Sequence, residues 1–274
     1  MFKSCALSDI GLTRCNNEDV WVALPEIGFF ALADGMGGHQ AGEVAAKEAL
    51  EHLSHSVKQL KTRNDPMELI TELRSAIEKA NLWVYQMGKE SNTLSGMGTT
   101  LCCTVWTEEF VVYAHVGDSR VYRFRDSKLE LLTRDHSLFA KWQSYGKLAE
   151  ECETPFPYKN VITRAIGTSI KANPEIAISL RKPGDLYFLC TDGLSDVLTL
   201  DEMEKMMIQS KNIEVASKIL IEQAKIKGSS DNITVLIIES EPQNATDLPG
   251  QQRHDRSRPE SLSGDAGRLE WPSP

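Results

Sequence analysis

Five short acidic clusters recur along the chain, each beside an apolar run of strand-like length. Asn17-Glu18-Asp19 precedes Val20-Trp21-Val22, and Asp34-Gly35 follows Phe29-Phe30-Ala31-Leu32-Ala33. Gly117-Asp118-Ser119-Arg120 follows Val111-Val112-Tyr113, Asp192-Gly193 follows Leu186-Tyr187-Phe188-Leu189, and Asp231-Asn232 precedes Ile233-Thr234-Val235-Leu236. A single acid at a strand end is ordinary turn chemistry. Repetition over most of the chain points to carboxylates gathered at one rim of a sheet, where they can hold hard cations.

The first pair gives this idea a geometry. Pro25-Glu26-Ile27-Gly28 is a turn signature between two strand-like runs, so a hairpin is expected. Asp19 and Asp34 lie symmetrically about that turn and would face one another at its open end. Two facing carboxylates repel unless a cation sits between them. Carboxylates and carbonyls without Cys or His spacing favour Mg²⁺ or Mn²⁺ over zinc. Gly35 permits close backbone approach and a carbonyl ligand.

The rest of the chain reads as strands interrupted by helices. Helical spacing runs over Ala41–Leu53 and Glu68–Met87, with Pro66 placed for a first turn. Strands are expected at 99–106, 109–116, 119–125 and 128–132 as a tight meander. Further strands are expected at 175–180, 185–191 and 232–239, with helices at 200–209 and 212–226. Residues 135–160 are irregular and read as an insertion over the sheet. The expected class is α+β, a four-layer α-β-β-α sandwich of two mostly antiparallel sheets flanked by helices. This body covers 1–240. The remainder, 241–274, holds five of the chain's 11 prolines and few large apolar residues, and is expected to be a disordered tail.

Bulk properties narrow the function. A net charge of -9 argues against a nucleic-acid surface and against a metal-dependent nuclease. No run approaches the ~20 apolar residues that span a bilayer, and none near Met1 resembles a secretory signal. Six cysteines without C-x-x-C spacing suit a reduced compartment, so a cytoplasmic protein is expected.

Taken in order, the motifs Arg14-x-x-Asn17-Glu18-Asp19, Ala33-Asp34-Gly35-Met36-Gly37-Gly38-His39, Gly98-Thr99-Thr100, Gly117-Asp118-Ser119-Arg120, Thr191-Asp192-Gly193-Leu194 and Ser230-Asp231-Asn232-Ile233-Thr234 resemble the PPM family. These are metal-dependent, type 2C serine/threonine protein phosphatases, and the compact bacterial branch is the most similar. The resemblance covers about residues 5–239. It implies a binuclear Mn²⁺ or Mg²⁺ centre bridged by Asp34, with Asp192 and Asp231 completing the first ion's site. The Gly35 carbonyl, Glu18 and Asp19 would serve the second ion. Asp118, with Asp192, would hold a third, weaker one. Arg14 would bind substrate phosphate, which suits its planar fork of donors.

The implied reaction is hydrolysis of phosphoserine or phosphothreonine in proteins by a metal-bridged hydroxide, opposing a serine/threonine kinase. A monomer acting on phosphorylated proteins, with neither nucleic acid nor membrane as partner, is expected. No cysteine carries the C-x₅-R spacing of thiol phosphatases. The family's eukaryotic members place a histidine directly after the Asp-Gly, where this chain has Met36. His39 is the nearest imidazole; either it or a metal-bound water is the candidate general acid. Arg120 is expected in a structural ion pair, and Arg164 in seating the insertion. Within the insertion, Trp142, Tyr145, Phe156 and Tyr158 are candidates for phosphopeptide contact or for packing onto the body.

Overall fold

Alternation along the strands decides the architecture. The computed structural model describes residues 2–37, 41–60, 64–144, 158 and 161–240. The expected tail at 241–274 lies outside them, as do His39, Tyr145 and Phe156. One sheet has the order β1 (Phe2–Asp9), β11 (Ile233–Ser240), β10 (Leu186–Cys190), β7 (Arg120–Arg125), β8 (Lys128–Leu131). The other runs β2 (Asp19–Leu24), β3 (Phe29–Met36), β5 (Leu101–Trp106), β6 (Phe110–Val116), β9 (Glu175–Leu180), with the short β4 (Gly98–Thr99) pairing β3 beyond β5. Every named pairing is antiparallel.

In β3, Phe29, Ala31 and Ala33 face a layer of helices, whereas Phe30 and Leu32 face the opposite sheet. The helical layer is α1 (Ala41–Lys58) and α2 (Pro66–Glu90). On the other side, α5 (Leu200–Gln209) and α6 (Ile213–Ile226) cover Phe188, Val235 and Ile237. Between the sheets lie Phe30, Leu32, Trp106, Val121, Tyr187, Leu189, Leu236 and Ile238. Each fully buried large side chain there contributes roughly 1.5–3 kcal/mol. The result is the expected four-layer sandwich.

Local chemistry sets the element ends. Pro66 opens α2, and the Asp65 carboxylate caps it by accepting from the Met67 and Glu68 amides at 2.8 and 3.1 Å. Asp126 and Ser127, both at positive φ, make the two-residue turn between β7 and β8.

The meander expected over 99–132 is corrected. β5 pairs β6 and β7 pairs β8, but β6 pairs β9 while β7 pairs β10. The chain therefore changes sheets at Gly117-Asp118-Ser119, which sets Asp118 at the mouth between the two. The sequence reading also omitted β1, α3 (Leu138–Gln143) and the single turn α4 (Asp192–Ser195). β1 is an edge strand, only partly buried along its length, so its alternation is weak.

Because the inter-sheet layer is the floor of the acidic rim, Phe30→Ala is expected to destabilise the fold by about 3–5 kcal/mol. Urea unfolding followed by tryptophan fluorescence measures this.

Candidate metal centre

Extending the alternation past the hydrophobic stretch leads directly to the acids. Asp34 follows Phe30 and Leu32 at the same parity and so belongs to the inner face of β3. Thr191 follows Tyr187 and Leu189, and Thr234 precedes Leu236 and Ile238, on the inner face of the other sheet. The hydrophobic layer becomes polar at this one end.

The register is the one expected from the sequence: Asp19 pairs directly with Asp34. Asp19 is buried, and its Oδ2 accepts hydrogen bonds from Thr191 Oγ1 at 3.0 Å and Thr234 Oγ1 at 2.7 Å. These two bonds tie the sheets together at the rim. Asp19 Oδ1 is buried with no hydrogen-bond partner, and the same is true of Asp192 Oδ1. Such atoms are costly in a folded protein unless something electropositive reaches them.

Burial and charge crowding act together on these acids. Burial, and then the neighbouring Asp19, Asp192, Asp231 and Asp118, drive the Asp34 carboxyl well above the usual range. Burial lifts Asp19 to about 7, against the opposing threonine bonds and with help from Asp192 and Asp231. Burial also lifts Asp118 to about 7 and Asp192 to about 6, each with neighbouring carboxylates adding to the effect. Glu18 is raised by burial, partly offset by Arg14. This donor set is all oxygen and strongly negative, so it fits hard divalent cations.

Backbone packing holds the site in shape. The Gly35 amide donates to the Glu18 carbonyl at 3.1 Å, and the Asp34 carbonyl accepts from Thr100 N and Thr99 Oγ1, each at 2.8 Å. A Cβ on Gly35 would fall 2.1 Å from the Gly42 carbonyl oxygen. One on Gly42 would fall 2.1 Å from Glu18 Oε2. Both glycines are required for α1 to begin against the end of β3.

Asn232 joins distant parts of the chain. Its Oδ1 accepts from the Glu18 amide at 2.8 Å, and its Nδ2 donates to the Ile10 and Asn16 carbonyls, each at 2.9 Å. Thr191, Thr234, Asn232, Thr100 and Gly42 are functional neighbours that the sequence reading did not assign. For the two threonines, strand parity was the available signal. For Asn232 no local signal exists, because its partners are remote.

The exposed Arg14 places Nη2 2.7 Å from Asp231 Oδ2, at the outer rim of the cluster. Arg120 forms the expected ion pair, forking onto Asp135 at 2.9 and 2.6 Å. Arg164 bonds to the Asn173 carbonyl and Glu175. Trp142 stacks on Phe139, and Tyr158 is exposed.

In chelator-treated protein these shifts make stability depend on pH. Asp19, Asp118 and Asp192 are raised in the native state, so between about pH 4 and pH 7 the native protein holds more protons than the unfolded chain. This contribution to stability is fully present below the unfolded pKa and is lost as pH rises through the native values. Asp34→Asn removes the acid whose ionisation the native state strongly opposes. Its melting temperature is expected to exceed that of the wild type, by a margin that grows from pH 5 to pH 7.5 (roughly the window set by that linkage). Thermal denaturation of both proteins in chelator measures the margin, and a constant or shrinking one contradicts the assignment.

Known proteins resemble this chain over most of its length. A family model described as Protein phosphatase 2C matches residues 14–223. The serine/threonine phosphatase stp of Listeria monocytogenes is 34% identical over 235 residues, covering 85% of this chain and 93% of that protein. The serine/threonine protein phosphatase PstP of Mycobacterium tuberculosis is 34% identical over 239 residues, and the match spans 87% of this chain but 45% of PstP. Among solved structures, the S. agalactiae serine/threonine phosphatase superposes with a TM-score of 0.80 at 32% identity, covering 88% of this chain and all of that one. The PstP catalytic domain in complex with two manganese ions superposes with a TM-score of 0.75 at 32% identity, covering 87% and 97%. With its acidic rim, its two-sheet fold and these matches, the chain belongs to the protein phosphatase 2C family.

Proposed function

We infer that this chain is a metal-dependent protein phosphatase that hydrolyses phosphoserine and phosphothreonine, opposing a serine/threonine kinase. The observation that carries this reading is Asp34, ringed by Asp19, Asp192 and Asp231, with two buried carboxylate oxygens left without hydrogen-bond partners. Two Mn²⁺ or Mg²⁺ ions held by these oxygens would generate a nucleophile from water at neutral pH and neutralise phosphoryl oxygens.

The chain's own residues then have distinct tasks. Asp34 lies centrally enough to serve both ions. Asp192 and Asp231 belong with the first, and Glu18, Asp19 and the Gly35 carbonyl with the second. Asp118 and Asp192 line a small cavity of about 70 Å³, which suits a third, weaker ion. Arg14 keeps guanidinium donors beyond the one engaged by Asp231, and these can fork onto a phosphate monoester. His39 is the proposed proton donor to the departing serine or threonine oxygen.

The proposed catalytic domain is 1–240, acting as a monomer on phosphorylated proteins. No helix among the described residues is long and apolar enough to cross a membrane.

Hydrolysis of a phosphothreonine peptide by the Mn²⁺-loaded protein is expected, and absence of turnover in fully metallated protein would refute the reading. Asp34→Ala and Asp192→Ala are expected to abolish turnover while circular dichroism stays native. Arg14→Ala should lower kcat/KM by at least roughly tenfold, since it removes a charge-assisted contact to phosphate. Steady-state kinetics on the same peptide measures each loss.

A further inference from the structure

Asp118 sits where the chain passes from one sheet to the other, and both of its neighbours are pinned. Ser119 Oγ lies 2.7 Å from Thr100 Oγ1, which in turn accepts from the Asp34 amide at 2.9 Å. Gly117 has φ +103°, and a Cβ there would fall 2.8 Å from Thr100 Cγ2, so its own side offers no adjustment. Its peptide groups are held from the other side by one residue. The Gly117 carbonyl accepts from the His136 amide at 2.9 Å, and the Gly117 amide donates to His136 Nδ1 at 3.2 Å.

The imidazole is fully committed. Because Nδ1 accepts the Gly117 N–H, the ring proton is on Nε2, which donates to Glu175 Oε1 at 3.1 Å and has Arg164 Nη1 3.2 Å away as a neighbour, not a hydrogen-bond donor. Arg164 Nη1 reaches the same carboxylate oxygen at 3.2 Å. His136 is buried and stacks on His115 at 4.5 Å, and the His115 ring donates from Nε2 to the Arg134 carbonyl at 2.8 Å. Burial, then His115 and Arg164, depress His136 to about 4, so it is neutral at physiological pH. His115, His136 and Glu175 are close enough to suggest a metal trio. The tautomer argues otherwise: His136 would have to surrender either Gly117 or its Nε2 proton to ligate.

We propose that His136 is a positioning residue for Asp118: its Nδ1 and main-chain amide clasp the Gly117 peptides, fixing the turn that aims Asp118 at the third ion, while Glu175 fixes the ring tautomer. The proposal rests on the third-ion reading of the Asp118 cavity. It assigns this histidine neither substrate contact nor proton transfer.

The test counts Mn²⁺ bound per chain by equilibrium dialysis and follows hydrogen exchange at the Gly117 amide. His136→Asn keeps an acceptor where Nδ1 stood. His136→Gln keeps a group near Nε2 but leaves the Gly117 amide unmatched, and His136→Ala loses both. Third-ion affinity is expected to fall at least roughly tenfold in the Gln and Ala variants, the scale for loss of a ligand's outer support. Gly117 exchange should quicken in the same two. His136→Asn should stay near wild type in both readouts, and the two tighter ions should remain bound throughout. Asp118→Ala serves as the reference for loss of the third ion. If it still binds three ions, the third-ion reading fails and the proposal falls with it. If it loses the ion while folded His136→Gln keeps wild-type affinity, the cavity reading stands and the positioning role is overturned. A His136→Asn protein that is folded yet as weak as His136→Ala also overturns it.

Discussion

Repulsion among carboxylates that cannot move apart is the constraint on which this structure turns. Asp19 and Asp34 face each other because a hairpin register leaves them no alternative. Asp192 and Asp231 approach because β10 and β11 are neighbours, and their ends meet the same rim. The surrounding sandwich is well packed above and below, so it holds the acids against their mutual repulsion. In metal-free protein, burial first and the neighbouring carboxylates second lift Asp19, Asp118 and Asp192 to about 6 or 7. A site of this kind is preorganised: its acids are already gathered before any cation arrives, at the expense of apo stability.

The two sides of the rim are stiffened differently. On the β3 side, the backbone of the acid's own strand is held: Gly35 packs against Gly42, and the Asp34 carbonyl accepts from the Thr100 amide and the Thr99 hydroxyl. On the opposite sheet, side chains dominate, with Thr191 and Thr234 reaching across to Asp19 Oδ2. Both threonines donate, so Asp19 keeps one oxygen committed to protein and one available. Replacing either hydroxyl by a methyl would leave the shape of the layer but weaken a direct polar link between the inner faces at this point.

Much of this was legible in the sequence because the signals are local. The hairpin symmetry of Asp19 and Asp34 needs only a turn and a period of two. The helices at 200–209 and 213–226 carry strong spacing and side-chain caps, Thr199 with Glu202 in one and Asn212 in the other. What stayed hidden is long-range. The second strand partner of β6, β9, lies beyond the insertion, and nothing in residues 110–125 announces that the chain leaves one sheet for the other. Asn232 looks like a turn residue until its partners at Ile10, Asn16 and Glu18 are known. β1 escaped notice because an edge strand buries only part of each face.

The pairing of the first strand with the last has a consequence for synthesis. β1 finds its partner only when β11 has been made, and Asp231, Asn232 and Thr234 are among the final residues of the body. A ribosome delivering the chain from its N-terminus therefore releases nearly all the acids before the segment that completes their enclosure. Until then Asp19 and Asp34 stand at an open, hydrated edge, where their charges are screened and their repulsion is small. The crowding sets in at the last step, when the closing strand shuts water out. Closure of the site thus waits on β11 rather than being built up strand by strand along the chain.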